Sequence, residues 1–172
     1  MIDKAFDFHK DLLLEFRKLK ESDELPHAMI FYGQAGCGHL ELAVDLAREI
    51  VVSGKENSLD PKILASKEKA RKLIHPDIHF SFPFVGNVTS NDYFEEWRAA
   101  LLENPFLDIT QWMQRLGAEN KQANINAKEC SNILQKLSLK SFESEYKVLL
   151  MWLPEYLGKE GNRLLKMIEE PP

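Results

Sequence analysis

The chain is poor in features that mark secreted or membrane-spanning proteins. Among its 172 residues it has two cysteines, Cys37 and Cys130, which lie too far apart for a Cys-x-x-Cys motif and are too few for a disulfide framework. No run approaches the ~18 consecutive apolar residues of a membrane helix. The N-terminal segment carries charges among its apolar residues and has no signal-peptide cleavage site. We therefore expect a cytoplasmic protein with reduced thiols and no membrane contact.

The chain also has fewer basic than acidic residues. The 22 Lys and Arg residues are outnumbered by 27 Asp and Glu residues, which gives a net charge of -5. A module that binds DNA by neutralising phosphates usually carries a basic surface, so we expect any contact with DNA to be indirect. A length of 172 residues and a hydrophobic fraction of 44% suit one globular domain.

The spacing of apolar residues predicts alternating helices and strands. Residues 148–153 form an unbroken apolar run, which is typical of a parallel strand covered on both faces. Two further strands are predicted at 28–32 and 78–84, the second limited at its end by Pro83. This order favours an α/β fold with a largely parallel sheet and a high helix content. Helices are predicted over residues 3–20, 40–51, 60–74, 90–103, 108–116, 127–139 and 159–170, with a loop at 54–58. The predicted N-caps are Asp60, which Pro61 follows in the first turn, then Ser90 or Asn91, and then Asp108 or Thr110.

A glycine-rich loop follows the first predicted strand and leads into a helix. Backbone N–H groups at such a place can bind an anion. The sequence GQAGCGHL matches the pattern G-x-x-x-x-G-K-[ST] at its two outer glycines, but His39 takes the lysine position and Leu40 takes the hydroxyl position. A phosphate site and a simple tight turn both remain open. The glycines of the loop are Gly33, Gly36 and Gly38.

The acidic residues of an ATPase are missing as well. Such an enzyme needs an aspartate for Mg²⁺, and usually a glutamate that polarises water, at the end of a hydrophobic strand. Here that strand ends at Met151, Trp152 and Leu153, and the nearest carboxylate, Glu155, follows a proline. We therefore expect no catalytic residues, and ATP binding that is weak or absent.

Several short motifs carry a resemblance to a known family. They are LPHA at 25–28, the glycine loop, His75-Pro76-Asp77 before the second strand, YKV at 146–148 and NRLLKMIEEPP at 162–172. With them, residues 25–172 resemble the bacterial DNA polymerase III clamp-loader subunits, the delta-prime and gamma/tau family of AAA+ proteins. The last motif is the most specific, through Leu164, Leu165, Lys166, Glu169, Glu170, Pro171 and Pro172.

The resemblance implies a P-loop NTPase-like (AAA+) fold, an α/β arrangement in three layers with a parallel sheet ordered 5-1-4-3-2. Residues 1–172 would then be the truncated, helix-rich N-terminal part of that domain, without the lid and collar domains. The edges of the first and third strands would pair directly, pair with another copy, or be covered by extra helices.

Residues 84–124 would be a helical insertion that is atypical of the family. One interpretation of its many aromatic residues is that the segment docks a partner protein. The favoured interpretation is that one helix packs an apolar stripe on the domain, formed by Phe94, Trp97, Leu101 and Leu102.

The double loss of ATPase groups resembles the delta-prime subunit. The resemblance implies a non-catalytic subunit that acts in DNA replication by scaffolding the ATP-driven loading of the sliding clamp. The partners implied are the gamma/tau and delta subunits, the sliding clamp through the complex, and primer-template DNA only indirectly. The alternative is a gamma-type ATPase with an unorthodox site, in which His39 contacts phosphate and Glu155 serves the metal.

Metal binding is the last function that the sequence raises. Relatives carry four zinc-binding cysteines before the His-Pro-Asp motif, whereas residues 52–74 contain none, so we expect neither zinc nor another metal. A weaker alternative is a metal site formed by His75, Asp77 and His79, whose spacing on a strand would place the three side chains on one face. It is weaker because His75 precedes a proline and can equally be the residue that ends a helix.

Overall fold

The computed structural model of the chain describes residues 10–34, 36–52 and 59–170. Seven α-helices and two strands lie in these ranges, joined by 3₁₀ turns at Ser90–Tyr93 and Pro154–Arg163. None of the helices in these ranges is long and apolar enough to cross a membrane. The helices are α1 (Lys10–Glu21), α2 (His39–Val52), α3 (Pro61–Arg71), α4 (Phe94–Glu103), α5 (Ile109–Arg115), α6 (Ala127–Ser138) and α7 (Leu165–Glu169).

Two of the helices begin at the predicted N-caps. The carboxylate of Asp60 accepts a hydrogen bond from the backbone N–H of Lys62 at 2.8 Å, and Pro61 occupies the first turn of α3. Asp108 accepts from the N–H of Gln111 at 2.8 Å and so caps α5. At the start of the helix predicted over 90–103, Thr89 is the cap instead of Ser90 or Asn91, and a 3₁₀ turn precedes α4.

The sheet has two parallel strands, β1 (Ile78–Ser81) and β2 (Val148–Met151). Both strands are shorter than the predicted ranges. Beyond β1, Pro83 has no N–H to donate, and Phe84 forms only an isolated antiparallel bridge with Asn124. Beyond β2, the backbone of Leu153 turns into the left-handed region with a φ of 55°. A helix-rich α/β fold is therefore confirmed, with a smaller sheet than predicted.

The prediction of a strand at 28–32 is wrong. The alternation that suggested it is real: Met29 and Phe31 pack against the cluster of Leu13, Leu42, Leu46 and Ile50, while Ile30 is 90% exposed and Tyr32 is 97% exposed. A strand also needs a neighbour with which to exchange backbone hydrogen bonds. Among the described residues no strand is paired with this segment, and β1 pairs with β2 only.

The main core lies where α2, α4 and α5 cover the sheet. Its centre is aromatic: the rings of Phe82 and Trp97 stack with centroids 4.7 Å apart, and Trp112 meets Phe82 edge-on at 5.5 Å. The indole N–H of Trp112 donates to the carbonyl of Pro83 at 2.7 Å. Residues from the 84–124 segment thus complete the core of the domain. The packed-stripe interpretation is confirmed for Trp97 and Leu101, which are buried, and for Phe94, which packs on the core, while Leu102 is 37% exposed.

The C-terminal helix is broken into pieces. One helix was expected over 159–170, but the chain forms the 3₁₀ segment Pro154–Arg163, interrupted at Gly158 where φ is 51°, and then the short α7. Leu164 lies between them and is buried against Cys130 and Ile133 of α6. Residues 3–9 of the predicted first helix, the predicted loop at 54–58, and Pro171 and Pro172 lie outside the described residues.

Candidate functional site

The glycine loop makes a tight turn into α2. Gly36 and Gly38 have φ values of 79° and 83°, a region that L side chains rarely adopt. The N–H of Cys37 donates to the carbonyl of Gln34 at 3.1 Å, which closes the turn. At Gly33 a Cβ atom would lie 2.5 Å from the Sγ of Cys37. Each glycine of the loop therefore has a local steric reason, whether or not the loop binds an anion.

The two residues that replace the phosphate and metal ligands have different environments. His39 is half-buried at the first position of α2, and its Nδ1 lies 3.3 Å from the Sγ of Cys37. Leu40 is 5% exposed and belongs to the main core with Val44. A side chain that is buried in the core leaves no group at that position to bind a metal. Of the positions at which the phosphate-binding pattern has a lysine and a hydroxyl, only the first, that of His39, therefore offers a polar side chain.

The first turn of α2 also carries a carboxylate. Glu41 is buried, with 9% of its surface exposed. A carboxylate in the first turn interacts favourably with the positive end of the helix dipole.

The end of β2 is occupied by apolar side chains. Trp152 is 4% exposed, and its ring centroid lies 6.4 Å from that of Trp97. The backbone N–H of Trp152 donates to the backbone carbonyl of Ser81 at 2.8 Å. Met151 packs toward α6, and Leu153 packs against the main core. Glu155 is exposed in the 3₁₀ segment beyond Pro154. The three residues that follow β2, Trp152, Leu153 and Pro154, therefore supply no carboxylate where an ATPase would hold Mg²⁺.

The C-terminal family motif contacts the motif at 25–28. The imidazole Nε2 of His27 lies 2.5 Å from the backbone carbonyl of Ile168, to which it donates. Leu164 is 1% exposed and anchors the motif in the core. The remaining described residues of the motif that we named are exposed: Leu165, Lys166, Glu169 and Glu170.

The His-Pro-Asp motif holds a loop. Asp77 is 1% exposed, and its carboxylate accepts backbone N–H groups from Phe142 at 2.5 Å, Glu143 at 2.7 Å and Ser144 at 2.9 Å. Burial by itself would raise the pKa of Asp77, but these three donors hold the pKa below its ordinary value. No spacing pattern in the chain indicates this long-range contact.

His75 supports the same arrangement. Its Nδ1 accepts from the N–H of Asp77 at 3.1 Å, its Nε2 lies 2.9 Å from the hydroxyl of Ser66, and burial lowers its pKa. The side chains of His75 and Asp77 are therefore engaged within the protein. Among the described residues no group of three or more His, Cys, Asp or Glu side chains is arranged to hold a metal ion.

Another buried carboxylate, which the sequence did not indicate, joins α6 to the 84–124 segment. Glu129 is fully buried and accepts from the N–H of Ser90 at 3.0 Å and from its hydroxyl at 2.6 Å. The amide of Asn132 donates to it at 3.2 Å. The apolar period of α6 predicted which face is buried, but a glutamate beside that face would ordinarily be assigned to solvent.

Comparison with known proteins gives one match. The family described as DNA polymerase III, delta subunit, matches residues 8–172. No curated protein and no solved structure matches the chain. The matched range covers the glycine loop, the His-Pro-Asp motif, both strands and the C-terminal motif. The chain therefore belongs to the DNA polymerase III delta-subunit family and is a clamp-loader-type protein of DNA replication.

Proposed function

We propose that the chain is a non-catalytic, delta-prime-like subunit, which scaffolds the clamp loader while partner subunits hydrolyse ATP to load the sliding clamp. One observation carries this proposal: residues at the ATPase positions are used to build the core. Leu40 and Trp152 are 5% and 4% exposed and belong to the same hydrophobic cluster.

The loop argues against tight nucleotide binding. A phosphate-binding loop of this type relies on a lysine that reaches the terminal phosphates and on a hydroxyl that holds Mg²⁺. His39 supplies neither a long cationic side chain nor a metal-binding oxygen, and Leu40 is buried. The loop therefore has the tight turn of such a motif but lacks both the lysine and the hydroxyl.

The end of β2 argues against hydrolysis. The unorthodox ATPase would need Glu155 to reach a metal bound at the loop. Glu155 is exposed on the far side of a left-handed residue, Leu153, and follows Pro154 in a 3₁₀ segment. One imidazole and one displaced carboxylate would have to replace three specialised groups. This is why we favour the scaffolding role over a gamma-type ATPase.

The partners follow from family membership. We propose that the chain assembles with the gamma/tau and delta subunits in the cytoplasm, reaches the sliding clamp through that complex, and contacts primer-template DNA only indirectly. The net charge of -5 agrees with a surface that engages proteins before DNA. The AAA+ three-layer fold is part of the same proposal, supported by the order glycine loop, helix, parallel strands.

Nucleotide binding tests the non-catalytic part. The chain is titrated with a fluorescent ATP analogue and Mg²⁺, with Gly38→Trp, which blocks the loop, as the matched control. We expect no saturable signal in the micromolar range and no difference between the two proteins. Tight, Mg²⁺-dependent binding that Gly38→Trp abolishes would contradict the proposal.

Assembly tests the scaffolding part. The chain is mixed with purified gamma/tau and delta subunits and followed by size-exclusion chromatography and ATP turnover. We expect co-elution, and turnover of the assembly that Glu155→Gln leaves unchanged. Loss of turnover with Glu155→Gln would instead support the gamma-type alternative, and failure to co-elute would reject the scaffold.

A further inference from the structure

The loop between α6 and β2 presents apolar side chains to solvent. Leu139 is 65% exposed, Phe142 is 81% exposed and Tyr146 is 39% exposed. Apolar residues scattered singly over a surface need no explanation, but three large ones within one short loop are a candidate contact surface. We call residues 139–147 the anchored loop.

The backbone of the anchored loop is held in place by buried and charged groups. The carboxylate of Asp77, which is 1% exposed, accepts the N–H groups of residues 142–144. The Nζ of Lys147 donates to the backbone carbonyl of Leu139. Because backbone groups form these contacts, the loop does not need an aromatic ring at Phe142 in order to fold. Because the backbone is already ordered, a contact made by that ring does not incur the cost of ordering the loop.

The surroundings of the loop are positively charged, although the chain has a net charge of -5. The Nζ of Lys20 lies 5.5 Å from the ring centroid of Tyr146, and Lys69 forms an ion pair with Glu143. More lysines than acidic residues lie in the loop or contact it. The lysines are Lys20, Lys69, Lys136, Lys140 and Lys147, and the acidic residues are Glu143 and Glu145. This surface therefore favours a partner of negative charge.

We propose that the anchored loop is a docking surface for a protein segment that combines acidic residues with an apolar side chain. The apolar side chain of the partner packs on Phe142 and Leu139, and its carboxylates pair with the surrounding lysines, of which Lys140 is exposed.

This surface goes beyond the proposed scaffolding function and uses other residues. Asp77 directly precedes β1 and Lys147 directly precedes β2, and the two strands are parallel, so the anchored loop lies at the edge of the sheet where both strands begin. Trp152 follows β2 at the opposite edge. Docking at the loop therefore depends on neither the glycine loop nor the residues at the end of β2.

A nucleic acid is the other polyanion that a basic surface attracts, and two features favour a protein. Glu143 and Glu145 lie within the loop, and a phosphate backbone carries a charge at every nucleotide, whereas a protein segment can space its carboxylates to avoid them. Leu139 also offers no flat ring on which a base could stack.

The experiment titrates the chain with a fluorescently labelled short peptide in which leucines are flanked by glutamates, followed by fluorescence anisotropy. We expect saturable binding that Phe142→Ser and Lys140→Glu each weaken about fivefold or more. The matched control is Phe106→Ser, which should bind like wild type, because Phe106 is 45% exposed but lies outside the loop. Added salt should weaken binding to the wild type.

Two measurements separate docking from folding. In Phe142→Ser, amide hydrogen exchange at residues 142–144 should match wild type, because the anchor is made by backbone groups. Asp77→Asn keeps Phe142 but loosens the loop, so it should also weaken peptide binding.

Three results would overturn the proposal. They are the absence of saturable peptide binding, a loss in Phe106→Ser equal to that in Phe142→Ser, and tighter binding of single-stranded oligothymidine than of the peptide. The titration needs neither nucleotide nor another subunit, so its failure is distinguishable from a failure of the scaffolding role.

Discussion

The strand β1 carries a histidine whose burial should make the fold sensitive to acid. His79 lies opposite Leu149 in the parallel register, and its Nε2 is buried with no hydrogen-bond partner among the described residues. The pKa of His79 falls from 6.5 to about 4, mainly because the ring is buried and secondarily because of the positive charges of Lys136 and Lys147, while the carboxylate of Asp77 opposes the shift. The ring is therefore neutral in the folded protein at neutral pH.

The size of the effect follows from the two pKa values. Since the pKa is lower in the folded state, the unfolded chain takes up the proton first, and folding stability falls as the pH drops from about 6.5 toward about 4. The full difference corresponds to about 3 kcal/mol. Because the ring keeps some exposure to solvent, we expect about 2 kcal/mol to be realised.

The perturbation is His79→Leu. It removes the titrating ring and the unpaired nitrogen, and it places an apolar side chain opposite Leu149. At pH 7 we expect a free energy of unfolding equal to that of wild type or about 1 kcal/mol higher, because an unsatisfied buried polar atom is gone. At pH 4.5 we expect the advantage of the variant to grow by about 1 to 2 kcal/mol.

The assay is urea unfolding at several pH values between 7.5 and 4.5, followed by tryptophan fluorescence. Trp97, Trp112 and Trp152 are all buried, so unfolding exposes each of them. The matched control is Leu149→Ala, which changes the opposite residue without changing any titrating group and should lower stability equally at every pH. If His79→Leu loses stability with acid as steeply as wild type does, the reasoning is refuted.

Two further substitutions test the contacts that hold the fold together. Asp77→Asn should lower the free energy of unfolding by about 3 kcal/mol, because the neutral amide cannot accept all three N–H groups as strongly. Amide hydrogen exchange at residues 142–144 should become faster. Unchanged protection there would contradict the role of Asp77 in holding this loop. Trp97→Ala should cost about 3 to 5 kcal/mol by opening a cavity in the aromatic core. On the same helix, Leu102→Ala should cost under about 1 kcal/mol, and similar losses for the two would mean that the 84–124 segment is not core.

Local rules predicted most of the helices. The side chains of Asp60 and Asp108 cap helices where the sequence placed them, because capping depends on residues only two or three positions away. The apolar period of α6 was equally reliable, since one side of the helix faces the sheet. These signals do not depend on which distant segment lies nearby.

Strands were predicted less well because a strand depends on its neighbours. The segment 28–32 has the alternation of a strand but is paired with no strand among the described residues, and β1 is shortened by Pro83. The helix predicted over 159–170 is only partly present, because its first residues belong to the 3₁₀ segment that ends at Arg163 and α7 begins at Leu165. The left-handed Gly158 lies just before the predicted range.

At the candidate site, the sequence shows which residue types differ from the ATPase pattern, but it does not show how those side chains pack. The sequence shows His39 and Leu40 in place of two ligands, and Trp152 where an acid is needed. That Leu40 and Trp152 share one core cluster depends on α2 and β2 coming together in the fold. The clamp of Asp77 on residues 142–144 links positions more than sixty apart, for which a single sequence carries no signal.

Because Leu40 and Trp152 share one core, substitutions that introduce the ATPase groups at these positions should destabilise the fold. Leu40→Thr would place a hydroxyl into an apolar cluster, and Trp152→Asp would both open a cavity beside Trp97 and bury an unpaired carboxylate. Each change costs stability at the same packed centre, so the two penalties are coupled. Restoring the chemical groups one at a time would therefore weaken the fold before it created a site. The proposed scaffolding role therefore predicts that Leu40→Thr and Trp152→Asp each lower the free energy of unfolding and that neither creates ATP turnover.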